Sequence, residues 1–271
     1  RQWELHQFRS RYHRDEVTNN RGGWAKLEFS KTEHLTSEGY FTYLKEFKGG
    51  HSLNAVAGYS YFEKNGENFN AENYDFGVEG LKYWDLGAGS YLTDGKAAMG
   101  SGKNITERLF ALYARANYSY NDKYMVSATI RHEGSSKFAA ENRWGNFWAL
   151  SGGWRVSAEE FMKEFDWVSD LKVRFGYGVT GNNDFDASYM ANTLSRDQYW
   201  MLPSGSWAYV YGPSSNVNPY LGWEEKKEWN IGVDYSFFGN RMYGKFDYYR
   251  RKIDGMIYEV NVPQPPHPNG K

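Results

Sequence analysis

The feature that most constrains this chain is a set of segments in which alternate residues are apolar and the residues between them are polar or small. From Arg143 to Ser157, Trp144, Trp148, Leu150, Trp154 and Val156 share one parity; Gly145, Ala149, Ser151, Gly153, Arg155 and Ser157 share the other. From Leu171 to Thr180, Leu171, Val173, Phe175, Tyr177 and Val179 alternate with Lys172, Arg174, Gly176, Gly178 and Thr180. Segments 108–120, 224–237 and 241–253 repeat the pattern, with Phe246 and Tyr248 opposing Lys245 and Asp247. A period of two means strand, because successive side chains point to opposite faces. Apolar faces this long, backed by polar ones, suit a barrel with lipid outside and water in its lumen. An Arg or Lys facing the bilayer midplane costs roughly 2–4 kcal/mol, so the charged face belongs to the lumen. The alternation thus assigns Trp148, Leu150, Trp154, Leu171, Val173, Phe175, Ile231 and Val233 to lipid. Arg155, Lys172, Arg174, Asn230 and Asp234 go to the lumen. The expected fold class is all-β, an antiparallel transmembrane β-barrel.

Composition agrees. Mean hydropathy is −0.79, and no stretch approaches the roughly 18 consecutive apolar residues of a membrane helix. A membrane barrel hides its apolar band in alternation, so low hydropathy leaves either a soluble chain or a barrel. Aromatics are 19% of residues, with 23 Tyr and 11 Trp. That excess fits aromatic girdles at two lipid interfaces, and also a carbohydrate-binding surface. A net charge of −1 argues against a nucleic-acid partner held through phosphates. With no Cys there is no disulfide framework and no thiolate metal site.

The expected strands are 24–33, 37–48, 50–63, 108–120, 123–133, 143–157, 169–180, 224–237 and 241–253, with weaker ones at 2–13 and 256–262. Links at Phe47–Gly50, Asn121–Lys123 and Phe238–Asn240 are short and carry the Gly, Asn and Asp that tight hairpins need. Links 64–107 and 181–223 are long. Short periplasmic turns and long outer loops are the habit of such barrels, so 108–120 and 143–157 should run inward and 123–133 and 169–180 outward. Ser157–Phe165 reads as a short helix at the periplasmic rim, with Ser157 and Glu160 forming a capping box. A plug for the barrel mouth or a rim cap is its expected role. Neither end of the chain looks like a natural terminus: no signal peptide opens it, and a Pro-rich stretch closes it.

No catalytic constellation stands out, so no enzyme activity is expected. His6, His13, His34, His51, His132 and His267 are scattered, none in a HExxH spacing. Gly87-Ala88-Gly89 lacks the strand–Gly–helix setting of a dinucleotide site. Asp75, Glu79, Asp85 and Asp94 have oxygen ligands for Ca²⁺ but no EF-hand spacing. No metal and no cofactor is therefore assigned. Gly134–Phe138 reads as turn chemistry or as a substrate contact. The richest loop is 181–223: flat rings stack on sugars or peptide side chains, and amides bond hydroxyls. Its candidates for contact with substrate or a lid are Asn182, Asn183, Tyr199, Trp200, Trp207, Tyr209 and Tyr211, beside Asp184, Asp186 and Asn216. The competing reading is that these rings pack the loop on itself.

The succession Tyr118–Tyr124, Ser127–Phe138, Asn142–Phe147, Gly153–Ser157 and Leu171–Asn182 resembles the barrel of SusC/RagA-family TonB-linked outer-membrane transporters of Bacteroidota. Leu53–Tyr59, Asn218–Glu224 and Phe246–Lys252 resemble the same family. The resemblance implies a barrel of about 22 strands with a plugged lumen, of which residues 1–271 supply about half. It implies a multi-pass barrel in the cell outer membrane, importing oligosaccharides or peptides. Its partners would be a SusD-like surface lipoprotein lid, the TonB-ExbB-ExbD energy-coupling system and outer-membrane lipid. No plug domain or TonB-box is legible here, so the segment is expected to be the middle of a longer polypeptide. The alternatives are a structural or assembly barrel in a larger outer-membrane complex, and a soluble all-β carbohydrate-binding or hydrolytic domain. The last needs two apolar faces packed together, against which the polar face argues.

Overall fold

The computed structural model describes residues 2–185, 194–213, 216–258 and 260–263. Its strands are β1 (Gln2–Arg9), β2 (Trp24–Phe47), β3 (His51–Tyr74), β4 (Ala98–Lys103), β5 (Glu107–Tyr120), β6 (Tyr124–Ser135), β7 (Trp144–Arg155), β8 (Val168–Asn182), β9 (Leu194–Met201), β10 (Trp207–Pro213), β11 (Glu224–Phe237) and β12 (Met242–Asp254), with one short helix, α1 (Arg14–Thr18). The chain divides into two compact units, Arg1–Leu35 with Glu63–Glu107, and Thr36–Phe62 with Arg108–Lys271.

The second unit is a meander ordered β2-β3-β5-β6-β7-β8-β11-β12, with β9 and β10 forming a separate two-stranded sheet. Apart from the β4 and β9–β10 excursions, neighbouring strands of this sheet follow one another in chain order, so the backbone groups between them are paired, as lipid demands, while β12 pairs on one side only among the described residues. The registers carry one residue class across many strands. Tyr124 lies opposite Trp154, Trp154 opposite Val173, Val173 opposite Val233, and Val233 opposite Phe246. Phe175 lies opposite Ile231, and Ile231 opposite Tyr248. Leu171 faces Tyr235, Leu150 faces Ala128 and Tyr177, and Trp148 faces Ile130. Trp148, Leu150, Trp154, Phe175 and Ile231 are exposed, and Leu171, Val173 and Val233 half-buried, all on one face of this sheet. The other face carries Arg155 opposite Lys172, and Lys172 opposite Asp234. Buried apolar side chains are few: Ala111, Phe138, Phe147 and Val179 in this unit.

The first unit orders β1-β2-β3-β4 around Ala25 and Phe76, both buried. α1 is tied to it through Glu16, fully buried and paired with Arg21 at 3.0 Å, while Arg21 lies over the Tyr74 ring.

Hairpin turns have the backbone their residues require. Asn121 and Asp122 have φ of 48° and 54°, and Gly49 and Gly50 have 87° and 80°. The Phe238–Asn240 turn is left-handed throughout, including Phe238 at 55°.

Several boundaries differ from the sequence reading. Segments 24–33 and 37–48 are one strand, β2, and 50–63 extends to Tyr74 as β3. At about 3.3 Å per residue, 24-residue strands run roughly 80 Å, whereas a spanning strand needs about 9–11 residues. Both strands are therefore longer than a bilayer needs, and apolar alternation breaks over 34–36 in β2 and fades after Phe62 in β3. Link 64–107 holds the end of β3, three 3₁₀ turns and β4; link 181–223 holds β9 and β10. Segment 2–13 is strand only to Arg9, and the described part of 256–262 is not strand. Ser157–Phe165 is two 3₁₀ turns, Val156–Ala158 and Glu160–Met162. The capping box does not form: the Ser157 hydroxyl donates to Asp170 at 2.7 Å, and Glu160 binds Lys163 instead.

Candidate functional site

The long-loop end of the second unit holds the sequence-nominated residues, and it holds them in two groups. Asn182 ends β8 and Asn183 follows it. The Asn182 amide donates to Glu224 at 3.1 Å, and its oxygen accepts from the Asp184 backbone at 3.0 Å. The Asn183 amide donates to the Ser135 hydroxyl at 3.1 Å. Lys137 reaches the same corner, its ammonium donating to the Phe185 carbonyl at 2.7 Å and the Asn183 carbonyl at 3.3 Å. These amides fasten the loop to the strand ends.

Beneath that corner sits an aromatic cluster the sequence did not single out. Phe138 packs on Phe185 and Trp223 with ring centroids 5.2 and 5.0 Å apart, and Phe147 meets Trp223 at 5.1 Å. Phe138 is 2% and Phe147 6% exposed. The Trp223 indole donates to the Arg143 carbonyl at 3.0 Å. Phe138 is therefore a buried anchor, and the substrate-contact reading of Gly134–Phe138 finds no exposed ring there. Gly145 and Gly181 make room for this packing, since an added Cβ at either would meet the Phe147 ring.

The second group stands on the β9–β10 hairpin. Trp207 lies opposite Met201, Ala208 opposite Trp200, and Tyr209 opposite Tyr199. Tyr199, Tyr209 and Trp207 thus share one face, and Trp200 takes the other. The Tyr199 and Tyr209 rings lie 4.5 Å apart with hydroxyls bonded at 2.7 Å. Trp200 and Trp207 are each 66% exposed, and Tyr211, beside the irregularity at Val210/Gly212, is exposed too. Isolated two-stranded hairpins are marginal in water, so large rings left in the open on both faces invite a partner surface. Asp186 lies outside the described residues.

The wall carrying Arg174 is charged and paired. Arg174 forks onto Asp234 through two bonds of 2.8 Å and reaches Asp247 at 2.9 Å. Arg131 forks onto Glu133 at 2.7 and 2.9 Å, and Arg251 binds Glu228 at 2.7 Å. Ser52, Asn54, Asn117, Ser127 and Asn230 line a recess of about 390 Å³ beside Lys172 and Arg174. At the short-turn end, Glu159 accepts from the Tyr124 hydroxyl at 2.5 Å and the Trp154 indole at 3.0 Å, with Lys123 at 3.4 Å. Those donors hold its carboxyl below the ordinary carboxylate range. Asp75 accepts from Ser90, and Glu79 pairs with Arg11; among the described residues no carboxylate group gathers to hold a metal ion.

A family model described as TonB dependent receptor-like, beta-barrel matches residues 1–270. The chain belongs to this family. It is 34% identical over 238 residues to TonB-dependent receptor P39 of Formosa agariphila, covering 84% of this chain and 21% of that protein. It is 36% identical over 157 residues to TonB-dependent receptor SusC of Bacteroides thetaiotaomicron, covering 57% of this chain and 16% of that one. The solved RagAB peptide transporter superposes with a TM-score of 0.70 at 24% identity, over 89% of this chain and 25% of that chain, a likeness of fold. The chain thus spans about a fifth of the curated relatives it matches. The SusC/RagA resemblance and the outer-membrane β-barrel class both stand on these matches, and the family is one of receptors, not of enzymes.

Proposed function

We propose that this chain is a stretch of the barrel wall of a TonB-dependent outer-membrane importer of oligosaccharides or peptides. The import partners are a SusD-like lipoprotein lid outside and the TonB-ExbB-ExbD system inside. On this reading residues 1–271 form one part of the barrel domain, while plug and TonB-box come from other sequence of the same protein. The wall itself does no covalent chemistry. The observation that carries the reading is the β9–β10 hairpin, which presents Trp200, Trp207, Tyr199 and Tyr209 on the long-loop side, the extracellular side of such barrels. Support comes from the polar wall, whose ion pairs, amides and hydroxyls suit a wet lumen, and from relatives named SusC and RagAB.

The test is Trp200→Ala with Trp207→Ala in the full-length receptor. Aromatic anchors at a buried contact cost more than about 2 kcal/mol each when truncated, whereas exposed rings cost little. Lid co-purification or substrate uptake should fall while the heat-modifiable barrel band persists. Wild-type lid binding and uptake together would refute the hairpin's role. Intact uptake-independent assembly with no transport in the wild type would favour the scaffold alternative.

A further inference from the structure

We infer that the apolar face of β2, β3, β5 and β6 holds one anionic phospholipid, with an acyl chain in a groove floored by alanine and a phosphate at the Lys45–Lys48–His51 corner. The groove has a volume of about 640 Å³, with Ala55, Ala57, Ala114, Ala116 and Ala128 as floor and Phe41, Tyr43 and Ile130 as walls. Ala114 lies opposite Ile130 and Ala116 opposite Ala128, so the floor belongs to the face shared with Leu150. Elsewhere this face carries Leu, Phe and Trp. A recess among large side chains on a lipid-facing surface has dispersion contacts to gain only if something fills it. Methylene chains are what the surroundings supply.

Charge complementarity names the headgroup. One same-face step beyond Tyr43, about 7 Å along the strand, is Lys45, whose ammonium sits 4.9 Å from the Phe47 ring. Lys48 follows in the turn. Among the described residues neither lysine has a carboxylate partner, whereas Lys123 on the next turn is held by Glu159. Glu46 alternates to the other face, and Asp122 is the acid of the neighbouring turn. His51 opens β3 on the groove's parity. Its Nδ1 lies 2.6 Å from the Tyr118 hydroxyl and its ring 4.6 Å from Tyr120, which stacks towards Tyr124 at 6.4 Å. The two turns are stitched by the Asn121 backbone N–H donating to the Gly50 carbonyl at 2.7 Å. Unpaired cations and an aromatic collar at the mouth of an apolar groove are the complement of a phosphate joined to acyl chains. The short turns place it in the periplasmic leaflet. The inference rests on the outer-membrane barrel assignment and not on substrate or lid.

The experiment is native mass spectrometry of the delipidated full-length receptor, titrated with dioleoylphosphatidylglycerol or dioleoylphosphatidylcholine. The wild type should retain phosphatidylglycerol preferentially. K45Q/K48Q should weaken that binding roughly 30-fold, at about fivefold per cation near an anionic surface, and erase the headgroup preference. A116F, filling the floor, should weaken both lipids. Equal retention of the two lipids by the wild type, or unchanged phosphatidylglycerol binding by K45Q/K48Q, overturns the proposal. So does A116F changing the oligomeric state with lipid binding intact, which would seat a second copy in the groove. Should A116F fail the heat-modifiability check for folding, the K45Q/K48Q titration decides alone.

Discussion

Adjacent residues on β11 should respond very unequally to the same substitution. Ile231 lies opposite Phe175 on one side and Tyr248 on the other, and is 44% exposed. On its strand, Trp229 and Tyr235 bracket Ile231 and Val233. Six steps between those rings at about 3.3 Å span roughly 20 Å, close to the roughly 25 Å apolar band of outer-membrane barrels. If Ile231 faces lipid as its parity predicts, it sits near the bilayer midplane, where Ile231→Arg should cost about 2–4 kcal/mol. Asn230, one residue away, points to the Arg174 wall, opposite Gly176. Asn230→Arg adds a cation near Arg174 and Lys172, but across water this repulsion is at most about 1 kcal/mol. The assay is urea unfolding of the full-length receptor in lipid vesicles, read by tryptophan fluorescence. Equal losses, or a larger loss for Asn230→Arg, would refute the assignment of faces.

Further outcomes follow from the same geometry. Phe138→Ala should cost about 3–5 kcal/mol as a buried aromatic truncation and free the 181–223 loop to limited proteolysis; unchanged cleavage would show that the loop is held elsewhere. Because the Glu159 carboxyl titrates below its ordinary range, its hold on Tyr124 and Trp154 is complete above the unfolded-state value and is lost as pH falls through the folded one. Protection of the 156–163 amides, taken relative to the intrinsic exchange rate at each pH, should therefore fall on acidification in the wild type, and be low and independent of pH in Glu159→Gln. Asp122 has φ of 54°, so Asp122→Val should destabilise by about 1–2 kcal/mol while Asp122→Gly is tolerated, measured by the same urea unfolding.

Sequence alone determined the strands that cross a bilayer, because lipid on one side and water on the other force apolar and polar residues into strict alternation. Leu171–Thr180 and Trp229–Phe237 could be read in this way, and so could the turns, since Asn121-Asp122 and Gly49-Gly50 are among the few residue pairs that accept left-handed backbone. Where both faces meet water the code falls silent. His34–Thr36, Asn65–Asn73 and Ala98–Lys103 are strand stretches with no apolar face, held by their neighbours' backbones, and only the paired structure shows them. The candidate site divided along the same line. That the 181–223 loop is rich in rings was plain from composition. Tertiary structure alone showed that Asn182 and Asn183 fasten the loop, that Phe138 is buried under it, and that β9–β10 lifts Trp200 and Trp207 into the open on opposite faces. Those roles depend on Ser135, Phe147 and Trp223, partners distant in sequence that the strand registers bring together.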